Sequence, residues 1–374
     1  MLSCGIVGLP NAGKSTLFNA LTRAGAAVAN YPFTTIDPNV GIVAVPDERL
    51  GRIASIVRPE QVTPAAYEFV DIAGLVRGAS HGEGLGNQFL GHIRNVDAVA
   101  MVVRGFAELD VPHIYGYVDP LRDIEVVNTE LALADLQTVE RRIERAKTAA
   151  KAGDKKAVAQ LELFHRLERH LNAGGTARDF PGDEEWVEVR RDVSLLTDKP
   201  LLYVLNVDED DLSTAIAVVD ERITAQGPWS GVVKKARAEG NEVVPVAARL
   251  ESEITELSEE DAAAYLREIG VESPGLHRLI KASYRLLCLV TFFTATGEKE
   301  VRAWPVPKGT KAPQAAGEVH TDMERGFIRA EVVAYDDLMR AGTFSVARDR
   351  GLVRVEGKDY VVQDGDIVHF RFHV

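Results

Sequence analysis

Gly8-Leu9-Pro10-Asn11-Ala12-Gly13-Lys14-Ser15 follows the apolar run Leu2 to Val7 and leads into a helical run, Thr16 to Leu21. The octapeptide matches G-x-x-x-x-G-K-[ST], and strand, loop and helix stand in the order a phosphate-binding loop requires. Its glycines let backbone N–H groups turn toward phosphate oxygens, and the helix N-terminus adds positive potential. Lys14 is the residue to reach the β and γ phosphates, and the Ser15 hydroxyl is the candidate Mg²⁺ ligand.

Further apolar runs follow at Val40–Val45, Tyr67–Val70, Ala98–Val103, Leu201–Leu205 and Val243–Val246, alternating with helical patterns. That alternation predicts an α/β fold with a parallel sheet and crossover helices. About a hundred residues separate the fourth run from the fifth, far more than a crossover helix needs. Within them Ala132, Leu136, Val139, Ile143, Ala146 and Ala150 form one apolar stripe, and Leu161, Phe164, Leu167 and Leu171 a second. Gly153-Asp154 reads as the turn between two antiparallel helices, and Gly174-Gly175 ends the second. After about residue 288 the pattern changes to short β-rich runs, Val290–Ala295, Phe327–Val333, Val353–Val355 and Val368–Phe372, which predict a small separate domain.

The net charge of −13 argues against a protein that coats nucleic acid over its whole surface. Residues 141–170 are an exception, with nine Lys or Arg against four acids. Charge alone allows a solvated helical face there as readily as a phosphate-binding one. Only two cysteines, Cys4 and Cys288, are present, no window approaches a membrane span, and the first residues carry no basic or long apolar leader. A cytoplasmic protein with no membrane contact is the expectation.

Asp71 ends the third apolar run and Gly74 follows it, a D-x-x-G placed about sixty residues after the phosphate loop. In P-loop switches such an Asp holds the Mg²⁺ shell and the Gly N–H meets the γ-phosphate. Thr34 and Thr35, in Tyr31-Pro32-Phe33-Thr34-Thr35, are alternative switch threonines. After the fifth run comes Asn206-Val207-Asp208-Glu209, where the guanine-reading pattern is Asn-Lys-x-Asp. Val207 replaces Lys and the longer Glu209 replaces Asp, so the guanine edge is expected to be crowded and imperfectly paired. Ala247-Ala248-Arg249-Leu250-Glu251 stands where a second base-contacting loop belongs.

Together with Asn30–Ile36 and Asp71–Val76, these motifs resemble the Obg-like ATPase (YchF) family of P-loop proteins, and the resemblance spans essentially the whole chain. Pro307–Thr310 and Gly357–Asp366 are similar to a TGS domain, a β-grasp module. The resemblance implies an OBG-type nucleotide domain over 1–122 and 197–287, an inserted helical domain over 123–196 and a TGS domain over 288–374. It implies ATP in preference to GTP, contacted by Asn11, Ala12, Gly13, Lys14, Ser15, Thr16, Gly74, Asn206, Val207 and Glu209. It implies Mg²⁺ at Ser15, Thr35 and Asp71, which selects Thr35, and it makes Asn11 a candidate K⁺ ligand. Ribosome binding is a further implication, with ribosomal RNA the expected contact of the 141–170 island. Leu75 stands where Ras-like enzymes place the water-orienting glutamine, so slow hydrolysis is expected, with His81 in Arg77–Gly84 the candidate water-positioning group. The competing expectation is a GTP-dependent ribosome assembly or translation factor of the Obg type, which shares every phosphate motif and differs in base preference.

Overall fold

A computed structural model describes residues 2–25, 39–72, 85–108, 110–223, 229–296 and 299–373. In chain order, the first strands are β1 (Ser3–Val7), β2 (Val40–Ala44), β3 (Gln61–Thr63), β4 (Ala66–Asp71), β5 (Ala98–Arg104), β6 (Leu201–Asn206) and β7 (Val243–Val246). Helices α1 (Lys14–Gly25), α2 (Glu48–Val57) and α3 (Leu85–Asn95) fall among them. The first sheet has the order β2-β4-β1-β5-β6-β7. Strand β1 runs parallel to β4 and β5, and β5, β6 and β7 continue parallel. Every residue of β1, β5, β6 and β7 is buried, as expected of parallel strands covered on both faces. Pro245 is tolerated in β7 because that strand closes the sheet at its edge. All six expected apolar runs of this sheet are strands, with ends shifted by a residue or so.

The long gap holds α4 (Pro120–Lys151), α5 (Lys155–Asn172) and α6 (Glu184–Val193), followed by a 3₁₀ turn at Leu196–Asp198. Asp119 caps α4 with Pro120 in its first turn, and Asp154 caps α5 by accepting from Lys156 N and Ala157 N. Gly153 takes φ +91° at the turn between them. The two halves of α4 serve different cores. Ile124, Val127, Leu131 and Ala134 pack into the core of the parallel sheet, whereas Val139, Ile143 and Ala146 meet Leu163, Phe164, Leu167 and Leu171 of α5. Trp186 of α6 and Phe180 close that second cluster. The hairpin is therefore as expected, with α6 added to it. Helices α7 (Glu209–Val219), α8 (Ser230–Ala238), α9 (Ala248–Ile254), α10 (Glu259–Glu268) and α11 (Gly275–Leu286) follow.

The rest of the chain forms β8 (Leu289–Thr296), β9 (Glu300–Pro307), α12 (Ala312–Val319), α13 (Thr321–Arg325), β10 (Phe327–Ala334), α14 (Tyr335–Ala341), α15 (Phe344–Asp349), β11 (Arg354–Glu356) and β12 (Asp366–Phe372). Its mixed sheet has the order β11-β10-β12-β8-β9-β3. One face of it, with Phe292, Ala330, Val332 and Phe370, packs on Ala312, Ala315 and Ala316 of α12. Sequence reading missed β9, whose Pro305 and Pro307 break the strand signal; it pairs along its length with β8. The described chain divides into two compact units, Met1–Gly41 with Glu68–Ser283 and Ile42–Tyr67 with Tyr284–Val374. The segment Ile42–Tyr67 thus goes with the C-terminal sheet, because β3 pairs in parallel with β9 from Gln61↔Glu300 to Thr63↔Arg302.

Candidate nucleotide site

Strand β1 delivers the chain into a loop that only glycine can make at two points. Gly8 has φ +150°, and a Cβ on it would stand 2.4 Å from Val102 O; Gly13 has φ +92°, and its Cβ would stand 2.2 Å from Asn206 Nδ2. Asn11 between them is left-handed at φ +62°. The first turn of α1 then closes with Leu17 N donating to Gly13 O at 3.0 Å. Lys14 is buried, and its Nζ donates to Leu9 O at 2.8 Å. Burial pulls its pKa down to about 8 against the raising influence of Asp71.

Ser15 Oγ donates to Asp71 Oδ2 at 3.4 Å, while Asp71 Oδ1 is buried without a hydrogen-bond partner among the described residues. Burial raises the Asp71 pKa, and Lys14 and Ser15 oppose that rise. A hydroxyl and a carboxylate with an unused oxygen fit a hard divalent cation completed by phosphate and water oxygens. Thr35, Gly74, Leu75 and His81 lie outside the described residues.

Asn206, at the end of β6, is buried and joins two loops. Its Nδ2 donates to Ala12 O at 3.0 Å, and its Oδ1 accepts from Ala248 N at 3.0 Å. The phosphate loop and the β7–α9 turn are thereby fixed to one side chain. Glu251 of α9, fully buried, accepts from Gly275 N and Leu276 N and so anchors that turn to the start of α11.

A cavity of about 480 Å³ opens over these groups. It is lined by Asn11, Gly13, Lys14, Ser15 and Thr16, by Phe106, Glu108 and Val111, and by Asn206, Val207, Asp208, Ala248 and Arg249. Sequence reading missed Phe106, Glu108, Val111 and Asp208. They follow the carboxyl ends of β5 and β6, where parallel sheets place their ligands, and that rule was the available signal. Glu209 is placed elsewhere. Its carboxylate accepts from the Tyr265 hydroxyl of α10 and does not line the cavity.

Two family profiles match the chain: MMR_HSR1, described as 50S ribosome-binding GTPase, over residues 3–142, and YchF-GTPase_C, described as protein of unknown function (DUF933), over residues 289–373. The protein "Ribosome-binding ATPase YchF" of Bacillus subtilis is 52% identical over 373 residues, covering 100% of both chains. Its namesake in Haemophilus influenzae is 51% identical over 99% of both. The structure of the Schizosaccharomyces pombe YchF GTPase superposes with a TM-score of 0.86 at 36% identity, covering 99% of this chain and 97% of that one. Identity of this order along the full length makes the chain a member of the YchF family of P-loop nucleotide-binding proteins.

Proposed function

We propose that the chain is a Mg²⁺-dependent ATP hydrolase of slow intrinsic turnover. In this reading it binds ATP in preference to GTP and acts in the cytoplasm, with the ribosome, as a translation-related nucleotide switch. Support for the ribosome and for hydrolysis comes from the names of the bacterial relatives, and support for a nucleotide ligand from the phosphate-loop geometry above. The observation that carries the base preference is the Asn206–Glu209 segment. The Lys of the guanine pattern is replaced by a buried valine, Val207, and the carboxylate at the fourth position accepts from Tyr265 and does not line the cavity, which supports a poor fit for the guanine edge. Phe106 and Val111 offer the base an apolar wall.

In the reaction, Lys14 and the loop N–H groups would hold the phosphates, and Ser15, Asp71 and Thr35 would hold the ion. The chemistry such an ion would supply there is neutralisation of phosphate charge. Asn11 Nδ2 donates to Pro112 O at 3.1 Å, which leaves Oδ1 as its atom for K⁺. His81 is proposed to position the attacking water in place of a glutamine. Calorimetry tests the base preference: ATP is expected to bind at least about tenfold more tightly than GTP, and the Val207→Lys, Glu209→Asp double variant to narrow the gap. Equal or tighter GTP binding by the unmodified chain would overturn it.

The ribosomal RNA contact is proposed for the end of the helical hairpin, where Arg145, Lys151, Lys155 and Lys156 are exposed. Other members of the basic island are engaged within the hairpin: Arg142 donates to Asp192 O, Arg166 pairs with Asp183 and Lys147 with Glu144. The Obg-type GTPase remains the second reading, favoured by the description of the N-terminal profile and by the name of the fission yeast relative, a YchF GTPase. The same calorimetry separates the two.

A further inference from the structure

Arg104, the last residue of β5, is 2% exposed, and no salt-bridge partner is found for it among the described residues. Instead its guanidinium donates to three backbone carbonyls: Phe106 O at 3.2 Å, Asn11 O at 3.4 Å and Val111 O at 2.6 Å. It also stacks on the Phe106 ring, 4.4 Å from the centroid. One buried cation thus clasps the phosphate loop at Asn11 and the cavity wall at Phe106 and Val111. Burying a guanidinium is costly unless its donors are used, and here one N–H from each of its three nitrogens is used on the two loops that frame one ligand cavity.

The connection continues outward. Asn11 Nδ2 donates to Pro112 O, and the next residue, His113, is buried against Asp123 in the first turns of α4, Nε2 to Oδ2 at 2.8 Å. His113 Nδ1 accepts from Tyr115 N at 3.1 Å, so Nε2 carries the proton and donates to the Asp123 carboxylate. Arg122 braces the same turn. It donates to Asp123 Oδ1 and Tyr117 O and lies over the Tyr115 and Tyr117 rings. From the phosphate loop to α4 the path is two side-chain hydrogen bonds, Asn11 to Pro112 O and His113 to Asp123, joined by the Pro112–His113 peptide link, and α4 is the 32-residue helix that carries the hairpin.

We propose that Arg104 and the His113–Asp123 pair are positioning residues that couple the nucleotide site to the helical arm. A nucleotide that settles on Asn11, Phe106 and Val111 fixes the Val111–His113 segment, and His113 passes that restraint to the first turns of α4. Coupling of this kind is reciprocal, so a partner that holds the arm changes nucleotide affinity by the same factor. The proposal deepens the reading of the cavity as a nucleotide site and rests on it; it does not depend on which base is preferred.

Hydrogen exchange on the full chain tests it, with and without whichever of ATP and GTP binds, with occupancy measured in the same samples. In the unmodified protein, nucleotide is expected to slow exchange of amides 121–131 by about fivefold or more. The His113→Leu, Asp123→Leu double variant removes both members of the pair without leaving either buried and unmatched. It is expected to bind nucleotide and to lose this protection, whereas Asp123→Asn, which keeps an acceptor for His113, retains it. Should the double variant fail to fold, His113→Asn, whose side chain is too short to reach Asp123, carries the same comparison. Unchanged protection of α4 in the uncoupled variant, or nucleotide binding without any protection of α4 in the unmodified chain, would overturn the proposal. Absence of all nucleotide binding by the unmodified chain would instead overturn the reading of the cavity.

Discussion

Lys14 sits in the phosphate loop with its pKa pulled down to about 8 by burial. A triphosphate placed against it favours the charged form and raises that pKa again. Below pH 8 Lys14 is already protonated and binding needs no proton from solvent. Above it, the free protein has lost the proton and must take one up on binding. Nucleotide affinity is therefore expected to fall by up to about tenfold per pH unit as pH rises past about 8. Calorimetry in buffers of different ionisation enthalpy at pH 8.5 should show proton uptake, and its absence would contradict the assignment. Among single residues the sequence was most legible where spacing alone imposes geometry. Gly8, Gly13, Lys14, Ser15 and Asp71 all stand where the motif puts them, and Gly13 is required because Asn206 occupies the space a Cβ would need. Side-chain direction was not legible. Glu209 looked like a base reader by its position in the chain, yet a tyrosine 56 residues away accounts for where its carboxylate points.

Among elements, the junction of α4 with the 3₁₀ turn at Leu196–Asp198 depends on one buried carboxylate. Asp135 accepts from Leu196 N at 2.7 Å, Thr197 N at 2.8 Å and Thr197 Oγ1 at 2.7 Å. Asp135→Ala leaves these donors buried without partners and is expected to cost on the order of 3 kcal/mol in denaturant unfolding. Burial raises the Asp135 pKa from 3.8 to about 6 despite those donors. A carboxyl with a raised native pKa contributes its proton-linked stability fully below about 4 and loses it as pH rises through about 6. The deficit of the alanine variant is accordingly expected to shrink from pH 4 to pH 6.5; a deficit independent of pH would count against the buried, neutralisable carboxyl. Period and capping residues predicted both long helices because α4 and α5 each bury a continuous stripe. They gave no warning of α6 or of β9. Helix α6 carries two acids in its first turn and buries only Trp186 and Val193, and β9 hides its alternation behind two prolines.

Across the whole molecule, the parallel sheet, the helical insertion and the C-terminal sheet were all readable from changes in period along the chain. The place of Ile42–Tyr67 was not, since a three-residue strand paired in parallel to one nearly 240 residues away leaves no local signal. The arm combines an acidic overall chain with exposed cations at its end, which suits a phosphate-rich partner only at that end. Ribosome co-sedimentation is expected to weaken steeply between about 50 and 200 mM salt. Charge reversal at Lys151, Lys155 and Lys156 should flatten that dependence without unfolding the hairpin, since none of the three lies in its apolar core. An unaltered salt dependence would move the contact elsewhere.

If this cavity hydrolyses ATP as a ribosome-linked switch, the decisive quantity is phosphate release from ATP and from GTP, measured with and without purified ribosomes. Release from ATP alone is expected to be slow and to quicken when ribosomes are added, with little release from GTP in either condition. Equal or faster turnover of GTP, or ATP turnover that ribosomes leave unchanged, would refute the switch.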